Sequence, residues 1–529
     1  MEKFIKIKRA LISVSDKTGI LNLVKELCNR GVEIVSTGGS ASILRDAGFD
    51  VTEVSKLTGF PEMMDGRLKT LHPNVHGGLL AIRDDKSHLK SMKEYKLKEI
   101  DLLVVNLYPF AETVNKGADY ARCIENIDIG GPAMIRAAAK NFKYVATLVD
   151  IQDYDGLVNE LKINDGCTSY SFRQKLSHNA FSLTAYYDAM VSNWMLENIA
   201  DVKPRRFSIS AALSQDLRYG ENPHQSASFY VDKNLKSGIA AANQIQGKEL
   251  SYNNINDTDA ALELVNEFSE NDGAAAVIIK HANPCGVGIA NNLVEAYRSA
   301  LNCDKTSAFG GIVAVNHIID EESAGEIIKV FTEVVIAPGI TEGARKIFSS
   351  KSNLRLLTTK KSPDLACSSK VIKHITGGYL LQDKDIEPLS ENNLCVVTKR
   401  SPTENEFQDM LFAWKVAKHV KSNAIVYAKD RSTVGIGAGQ MSRVDSCIIA
   451  ARKAEDMAKT QGLDVLPTHG SALASDAFFP FADGLKSAIE AGASSIIQPG
   501  GSIRDDEVIK AANDAGLAMI FTGMRHFKH

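Results

Sequence analysis

Along the first 150 residues the apolar positions switch repeatedly between short continuous runs and helical spacing. Ala10–Val14 is a short apolar run, and Ile20–Cys28 has the spacing of an amphipathic helix. Val32–Val35 is again strand-like, and Ala41–Ala47 helical. Asp101–Leu107 and Tyr144–Val149 read as buried strands. Unbroken apolar runs fit strands covered on both faces, and their alternation with helices predicts βαβ units around a largely parallel sheet. Residues 168–200 predict one long helix or two, carrying Phe172, Leu176, Phe181, Tyr186 and Trp194.

Asp201–Arg206 is polar and contains a proline, so a domain boundary is expected there, giving domains 1–200 and 201–529. Past it, Ala274–Ile279 and Ala424–Ala428 are strands running into loops. Their surroundings hint at an internal duplication. Val277-Ile278-Ile279 stands 147 positions before Ala424-Ile425-Val426, and Val287-Gly288-Ile289 stands the same distance before Val434-Gly435-Ile436. Ala308-Phe309 resembles Ala477-Phe478 at a longer offset.

A net charge of −3 and the lack of any block of five like charges argue against a nucleic-acid surface, so phosphate recognition is expected in local pockets. Eight cysteines, none in a C-x-x-C pair, with no signal peptide, read as reduced thiols of a cytoplasmic protein. No apolar run approaches the roughly 18 residues of a membrane span.

Candidate chemistry concentrates at strand ends. Ser13, Ser15 and Lys17 lie in S-V-S-D-K-T-G, after a strand and before a helix. Thr37, Gly38 and Gly39 lie in a second loop of the same kind. Hydroxyls, a lysine and free helix N–H groups suit a phosphate. A cap and a turn are the plainer account of either loop alone; two at adjacent strand ends favour the phosphate. Gly59–Gly78 reads as a long glycine-rich loop with Arg67, Lys69 and Thr70. In an extended segment Arg67 and Lys69 face the same side. His72 and His76 have metal-like spacing, but Pro73 opposes a continuous helix there and no metal is expected. Tyr108 ends a strand, and Asp128 leads into a helix carrying Lys140.

In the second region Arg218 and Tyr219 stand in L-R-Y-G-E-N-P-H-Q, and Lys280 and His281 end an apolar strand before Asn-Pro-Cys-Gly. Adjacent Lys and His at a strand end are acid–base candidates. Phe309 and Gly310 sit in a small-residue loop suited to close backbone approach. Asn423 precedes a strand and Arg443 follows the next glycine-rich segment. Phe478 and Asp483 offer an aromatic wall and a carboxylate for a flat heterocycle, and Arg525 adds a terminal cation. Zinc deaminases use H-x-E with P-C-x-x-C. Here His281-Ala282-Asn283 lacks the glutamate, and Pro284-Cys285 lacks the second cysteine. The segment reads as a deaminase-like loop without zinc.

As an ordered set the motifs are specific. S-V-S-D-K-T-G, G-R-L-K-T-L-H-P, N-L-Y-P-F, D-I-G-G, L-R-Y-G-E-N-P-H-Q, K-H-A-N-P-C-G, S-N-A-I-V-Y-A-K, G-I-G-A-G-Q-M-S-R and S-D-A-F-F-P-F occur in this order over nearly the full length. The chain resembles the bifunctional aminoimidazole carboxamide ribonucleotide (AICAR) transformylase/inosine monophosphate (IMP) cyclohydrolase family. The resemblance implies an α/β architecture: a methylglyoxal-synthase-like parallel-sheet domain, then two tandem cytidine-deaminase-like α/β subdomains. It implies formyl transfer from 10-formyltetrahydrofolate to AICAR, giving FAICAR, then closure of FAICAR to IMP. It implies a homodimer with transformylase sites at the interface, and leaves a bound monovalent cation open. By the same resemblance Lys280, His281 and Asn423 carry formyl transfer, while Arg218, Tyr219, Phe309, Gly310, Arg443, Phe478, Asp483 and Arg525 hold substrates. Lys69, Tyr108, Asp128 and Lys140 are the working residues of ring closure. Ser13, Ser15, Lys17, Thr37, Gly38, Gly39, Arg67 and Thr70 are the phosphate and base contacts.

Two rival readings are distinguishable. A zinc deaminase fused to a methylglyoxal synthase requires stoichiometric zinc. A dead nucleotide sensor binds without turnover.

Overall fold

The computed structural model describes residues 4–64, 67–200, 202–232, 237–359 and 370–529. Two compact units divide between Ala212 and Leu213, a little beyond the proline-containing stretch.

The first unit holds a five-stranded parallel sheet in the order Val51–Glu53, Glu33–Ser36, Arg9–Val14, Leu102–Asn106, Ala146–Leu148. Alternate residues of these strands enter different cores. Ala10, Ile12, Leu102 and Val104 pack on one face, and Leu11, Val35, Leu103 and Val105 on the other. Burial on both faces is why the strands read as unbroken apolar runs. The chain builds outward from Arg9–Val14 in one direction, then returns beside it with Leu102–Asn106. Such a reversal opens a crevice at the carboxyl ends of the two strands.

Two segments depart from expectation. Gly38 and Gly39 are not loop residues: the helix Gly38–Asp46 starts with them and Thr37 is its N-cap. The glycine-rich stretch also becomes helix from Pro73 to Leu80, with His72 as N-cap. Its Gly78 is needed for packing, since a Cβ there would fall 2.4 Å from the Lys98 carbonyl oxygen. Residues Tyr170–Glu197 form one helix rather than two.

The second unit carries a twelve-stranded sheet. In order its strands are Asn243–Gln246, Arg355–Thr358, Thr332–Ala337, Gly311–Val315, Ala274–Lys280 and Asn283–Ala290, then Ser432–Gly437, Ile425–Lys429, Ala472–Ser475, Ser495–Gln498, Ala518–Phe521 and Cys395–Val396. Each half repeats one plan. A hairpin is followed outward by an antiparallel strand, two parallel strands and an antiparallel edge. The halves meet where Gly288 pairs with Ser432. The helices Tyr252–Val265 and Glu404–Ala417 cover the same face, and both begin with a capping box.

The duplication is therefore real, but its register is not the one the apolar pattern suggests. The two hairpin turns equate Lys280 with Lys429, an offset of 149 rather than 147. Gly286 and Gly435 keep this offset and the same job. A Cβ on either would strike the carbonyl oxygen of a covering helix, at Ala300 or Ala450. A slip of two residues leaves strand faces unchanged, so hydrophobicity alone does not detect it. Ala308-Phe309 and Ala477-Phe478 are not equivalent, because the first precedes Gly311–Val315 and the second follows Ala472–Ser475. No helix among the described residues is long and apolar enough to cross a membrane.

Candidate functional site

In the first unit the crevice is stitched by Asn106. Its Oδ1 accepts the backbone N–H groups of Ser15 (2.5 Å) and Asp16 (2.9 Å), and its Nδ2 donates to the Asp16 carbonyl oxygen (2.7 Å). Ser13 and Thr37 share a hydroxyl–hydroxyl hydrogen bond of 2.9 Å between neighbouring strands. Lys17 Nζ donates to the Ser15 carbonyl oxygen at 2.8 Å. The N-terminus of the Gly38–Asp46 helix opens beside these hydroxyls, presenting N–H groups of the kind that hold phosphate.

Lys69 reaches into this corner. Its Nζ lies 2.5 Å from where a Gly38 Cβ would stand, and it pairs with Glu62 at 3.0 Å. Glu62 also faces Tyr108, whose phenol is pushed up by burial and by the charges of Asp128 and Glu62. The Asp128 carboxylate accepts the Gly131 N–H at 2.8 Å and the Tyr108 N–H, yet burial outweighs both and raises its pKa. Tyr187 fixes Asp128 from behind by accepting its backbone N–H at 2.8 Å. Thr70 lies against Gly130, where its Oγ1 would meet a Cβ at 2.7 Å. A cation, a phenol and a half-buried carboxyl thus stand at one corner of a phosphate-ready crevice.

Two residues are not brought in as expected. Arg67 and Lys69 do not share a side, because the segment turns; Arg67 pairs with Glu125 and Lys69 with Glu62. Lys140 is exposed at the far end of the Gly130–Lys140 helix, about 15 Å along the axis from Asp128. His72 uses Nδ1 to accept the Asn74 N–H at 3.1 Å, which ties it to helix capping.

Two predictions follow from this corner. Gly38→Ala is expected to push the Lys69 ammonium aside and strain a backbone at φ 29°. If this unit closes the ring, as the resemblance implies, closure should fall by about 10²-fold with formyl transfer unchanged, for a stability cost of roughly 1 kcal/mol. Parallel assays and thermal melts check this. Asp128 has a raised pKa, so its stability contribution is full below the ordinary carboxyl range and is lost as pH rises through the raised value. Asp128→Asn should therefore gain stability over the native chain as pH rises from the ordinary carboxyl range through the raised value, and hold that gain above it, while ring closure drops by about 10²-fold. Melting curves across that range test the sign.

In the second unit Lys280 and His281 line a cavity of about 520 Å³ together with Ser307, Cys285 and Gln440. Lys280 Nζ donates to the Phe309 carbonyl oxygen at 2.8 Å. Phe309 is 60% exposed with its ring 5.2 Å from that of Phe331, and Gly310 makes the αL turn beside it. Lys429 repeats the lysine contact on the His469 carbonyl oxygen at 3.0 Å. Asp430-Arg431 stand there in place of His281-Ala282, so the second half has the scaffold without the imidazole.

Asn423 lines a separate cavity of about 390 Å³ with Arg443, Phe478, Phe481, Asp483 and Arg525. Asn423 Nδ2 donates to the Gln440 carbonyl oxygen at 3.0 Å and its Oδ1 accepts from Arg443 Nη2 at 2.9 Å. Arg443 Nη1 donates to Asp476 at 2.5 Å in a fully buried ion pair, and to Ser475 Oγ. Asp476 is therefore not free to receive a heterocycle, and Arg443 orients Asn423. Asp483 Oδ1 accepts the Gly484 N–H, and Arg525 lies over the Phe527 ring at 4.7 Å. Gln440 and Met441 separate the two cavities. Arg218 and Tyr219 are joined by a 2.9 Å hydrogen bond beside the hairpin Ala212–Leu217/Ala227–Val231 and line neither cavity.

Sequence reasoning missed Glu62, Asn106, Asp257 and Gln440. Asp257 was findable. Aligning the capping boxes at Ser251 and Thr403 pairs it with Asp409, six positions past each cap.

Fold and sites define a two-part α/β enzyme with separate polar clusters at the strand ends of each part. Residues 138–453 match the family described as AICARFT/IMPCHase bienzyme, and residues 19–133 match the MGS-like domain. The bifunctional purine biosynthesis protein PurH of Dinoroseobacter shibae is 61% identical over 529 residues, covering all of both chains. Those of Roseobacter denitrificans and Ruegeria pomeroyi are each 61% identical over 523 residues, covering 99% of both chains. The chain belongs to the AICARFT/IMPCHase bienzyme family. It is a bifunctional formyltransferase and cyclohydrolase of purine synthesis, acting on small molecules with a folate-type co-substrate.

Proposed function

We propose that the two activities are divided between the two units. The first closes the ring of FAICAR to give IMP. The second transfers the formyl group of 10-formyltetrahydrofolate to the 5-amino group of AICAR. The observation that carries this division is the presence in each unit of its own cluster of family-matched groups.

In formyl transfer the AICAR amine is conjugated with its ring and is a weak nucleophile. His281 takes its proton as the nitrogen bonds to the formyl carbon. Lys280 and Asn423 stabilise the oxyanion and assist protonation of the departing folate nitrogen. Arg218, Tyr219, Phe309, Gly310, Arg443, Phe478 and Arg525 hold the nucleotide, and Asp483 lies on the folate side. In ring closure the carboxamide nitrogen bonds to the formyl carbon and water leaves. Ser13, Ser15, Lys17, Thr37, Gly38 and Gly39 cradle the phosphate, with Arg67 and Thr70 toward the base. Lys69, Tyr108 and Asp128 serve the proton transfers and the developing charge. Lys140 is matched to the family's working residues of ring closure, and within one chain it stands at the far end of the helix from Asp128.

The working form in this reading is a homodimer with transformylase sites completed across its interface. Two observations support that. His281 and Asn423 line different cavities within one chain. The hairpin Lys370–Ile375/Gly378–Asp383 also exposes Val371, Ile372, Ile375, Tyr379, Leu380 and Leu381, an unusual amount of apolar surface for so small an element.

The test is a timed assay with AICAR and 10-formyltetrahydrofolate. Folate-dependent FAICAR followed by IMP is expected. Binding of AICAR without turnover would overturn the reading, and so would stoichiometric zinc in the active protein.

A further inference from the structure

We propose that Asp257 is a positioning residue for formyl transfer, acting through His281; this rests on the reading of His281 as the base. His281 and Ala282 form the two-residue turn between Ala274–Lys280 and Asn283–Ala290, with φ of 54° and 56°. Side-chain-bearing residues rarely hold such values at two successive positions, so outside contacts must fix the turn. Both turn N–H groups end on one carboxylate. His281 N donates to Asp257 Oδ2 and Ala282 N to Asp257 Oδ1, each at 3.0 Å. Two bonds from adjacent residues to one planar acceptor set the direction of the His281 Cα–Cβ bond. Asp257 is itself held on the Tyr252–Val265 helix, whose start is locked by the Ser251–Asn254 capping box.

The duplicated half supplies the control. Asp430 and Arg431 form the matching turn at φ 51° and 52°. Their N–H groups end on Asp409 at 3.0 and 2.7 Å. Asp409 lies six positions past the N-cap Thr403, as Asp257 does past the N-cap Ser251. The same clamp thus occurs twice, but in one half only does it hold an imidazole. Loss of either clamp costs stability; loss of Asp257 alone misdirects the base.

Asp257→Asn and Asp409→Asn, made in the full chain, separate these effects. An asparagine offers one acceptor where the turn needs two. Both variants should melt lower by similar amounts. Asp257→Asn should lower formyl-transfer kcat by about 10- to 100-fold, with the KM for AICAR changed by less than about threefold and ring closure unchanged. Asp409→Asn should keep kcat within about threefold. Added to His281→Ala, Asp257→Asn should cause no further loss. If either asparagine variant fails to fold, Asp257→Glu and Asp409→Glu give the same comparison. Equal kcat losses in the two variants would overturn the proposal, as would additivity with His281→Ala. Should His281→Ala itself retain full formyl transfer, the reading of the site fails rather than the clamp.

Discussion

His281→Ala is expected to lower formyl transfer by about 10²–10⁴-fold and to leave closure of supplied FAICAR within about twofold. The attacking nitrogen is a poor nucleophile, so its proton must leave as the bond forms. Alanine removes the only imidazole that lines that cavity among the described residues. The change should cost little stability. The backbone N–H of residue 281 stays on Asp257, and the side chain is exposed. On the proposed division of activities, closure uses groups of the other unit and does not sense the loss. Lys280→Ala is a less clean probe, since Lys280 also staples the turn to the Phe309 carbonyl oxygen as Lys429 does on His469. Initial rates for each reaction, measured separately, decide the point.

Lys69→Ala should do the reverse. Closure is expected to fall by about 10²–10³-fold, as for removal of one preorganised charge from a developing oxyanion, while formyl transfer persists. The ammonium sits over the Gly38 backbone, next to Thr37 of the Ser13–Thr37 hydroxyl pair, which on the proposed reading is where phosphate and heterocycle meet the helix N-terminus. Its partner Glu62 faces the phenol of Tyr108. Removing the lysine leaves that carboxylate uncompensated next to Tyr108, which adds to the effect. Accumulation of FAICAR in the coupled reaction is the signature.

Much of the fold was legible because burial writes itself into periodicity. Strands covered on both faces gave unbroken runs at Ala10–Val14 and Asp101–Leu107, and the observed strands fall within a residue of them. The helix at Ile20–Cys28 was read to its ends. Glycines were harder. Gly38 and Gly39 start a helix, and Gly78 sits inside one where a carbonyl presses close. The sequence shows a glycine but not which neighbour demands it. The register of the duplication was misread for a related reason, since a two-residue shift keeps every strand face in place.

The site was legible by residue type and less so by partnership. Tyr108 follows a strand end, where the topology predicts a crevice, while Lys69 and Asp128 reach that corner from segments that precede helices. Asn106 was missed because its importance lies in contacts to the loop after the neighbouring strand, and Glu62 because its partner Lys69 is reached only as their shared segment turns. Lys140 shares a helix with the Asp128 corner but emerges at its other end. Helix rise sets that distance, and a motif string does not display it. Arg443 reads as a nucleotide contact in sequence, and the sequence does not show that its terminal nitrogens also engage Asp476, Ser475 and Asn423.

The central claim is that the two activities use separate sets of residues, so that FAICAR made by one molecule can be closed by another. The most direct test mixes two purified variants, His281→Ala and Lys69→Ala, with AICAR and 10-formyltetrahydrofolate. Neither alone should produce IMP at an appreciable rate. Together they should restore it after a lag during which FAICAR builds up. A mixture that stays as inactive as its separate components, with both proteins folded, would contradict the account.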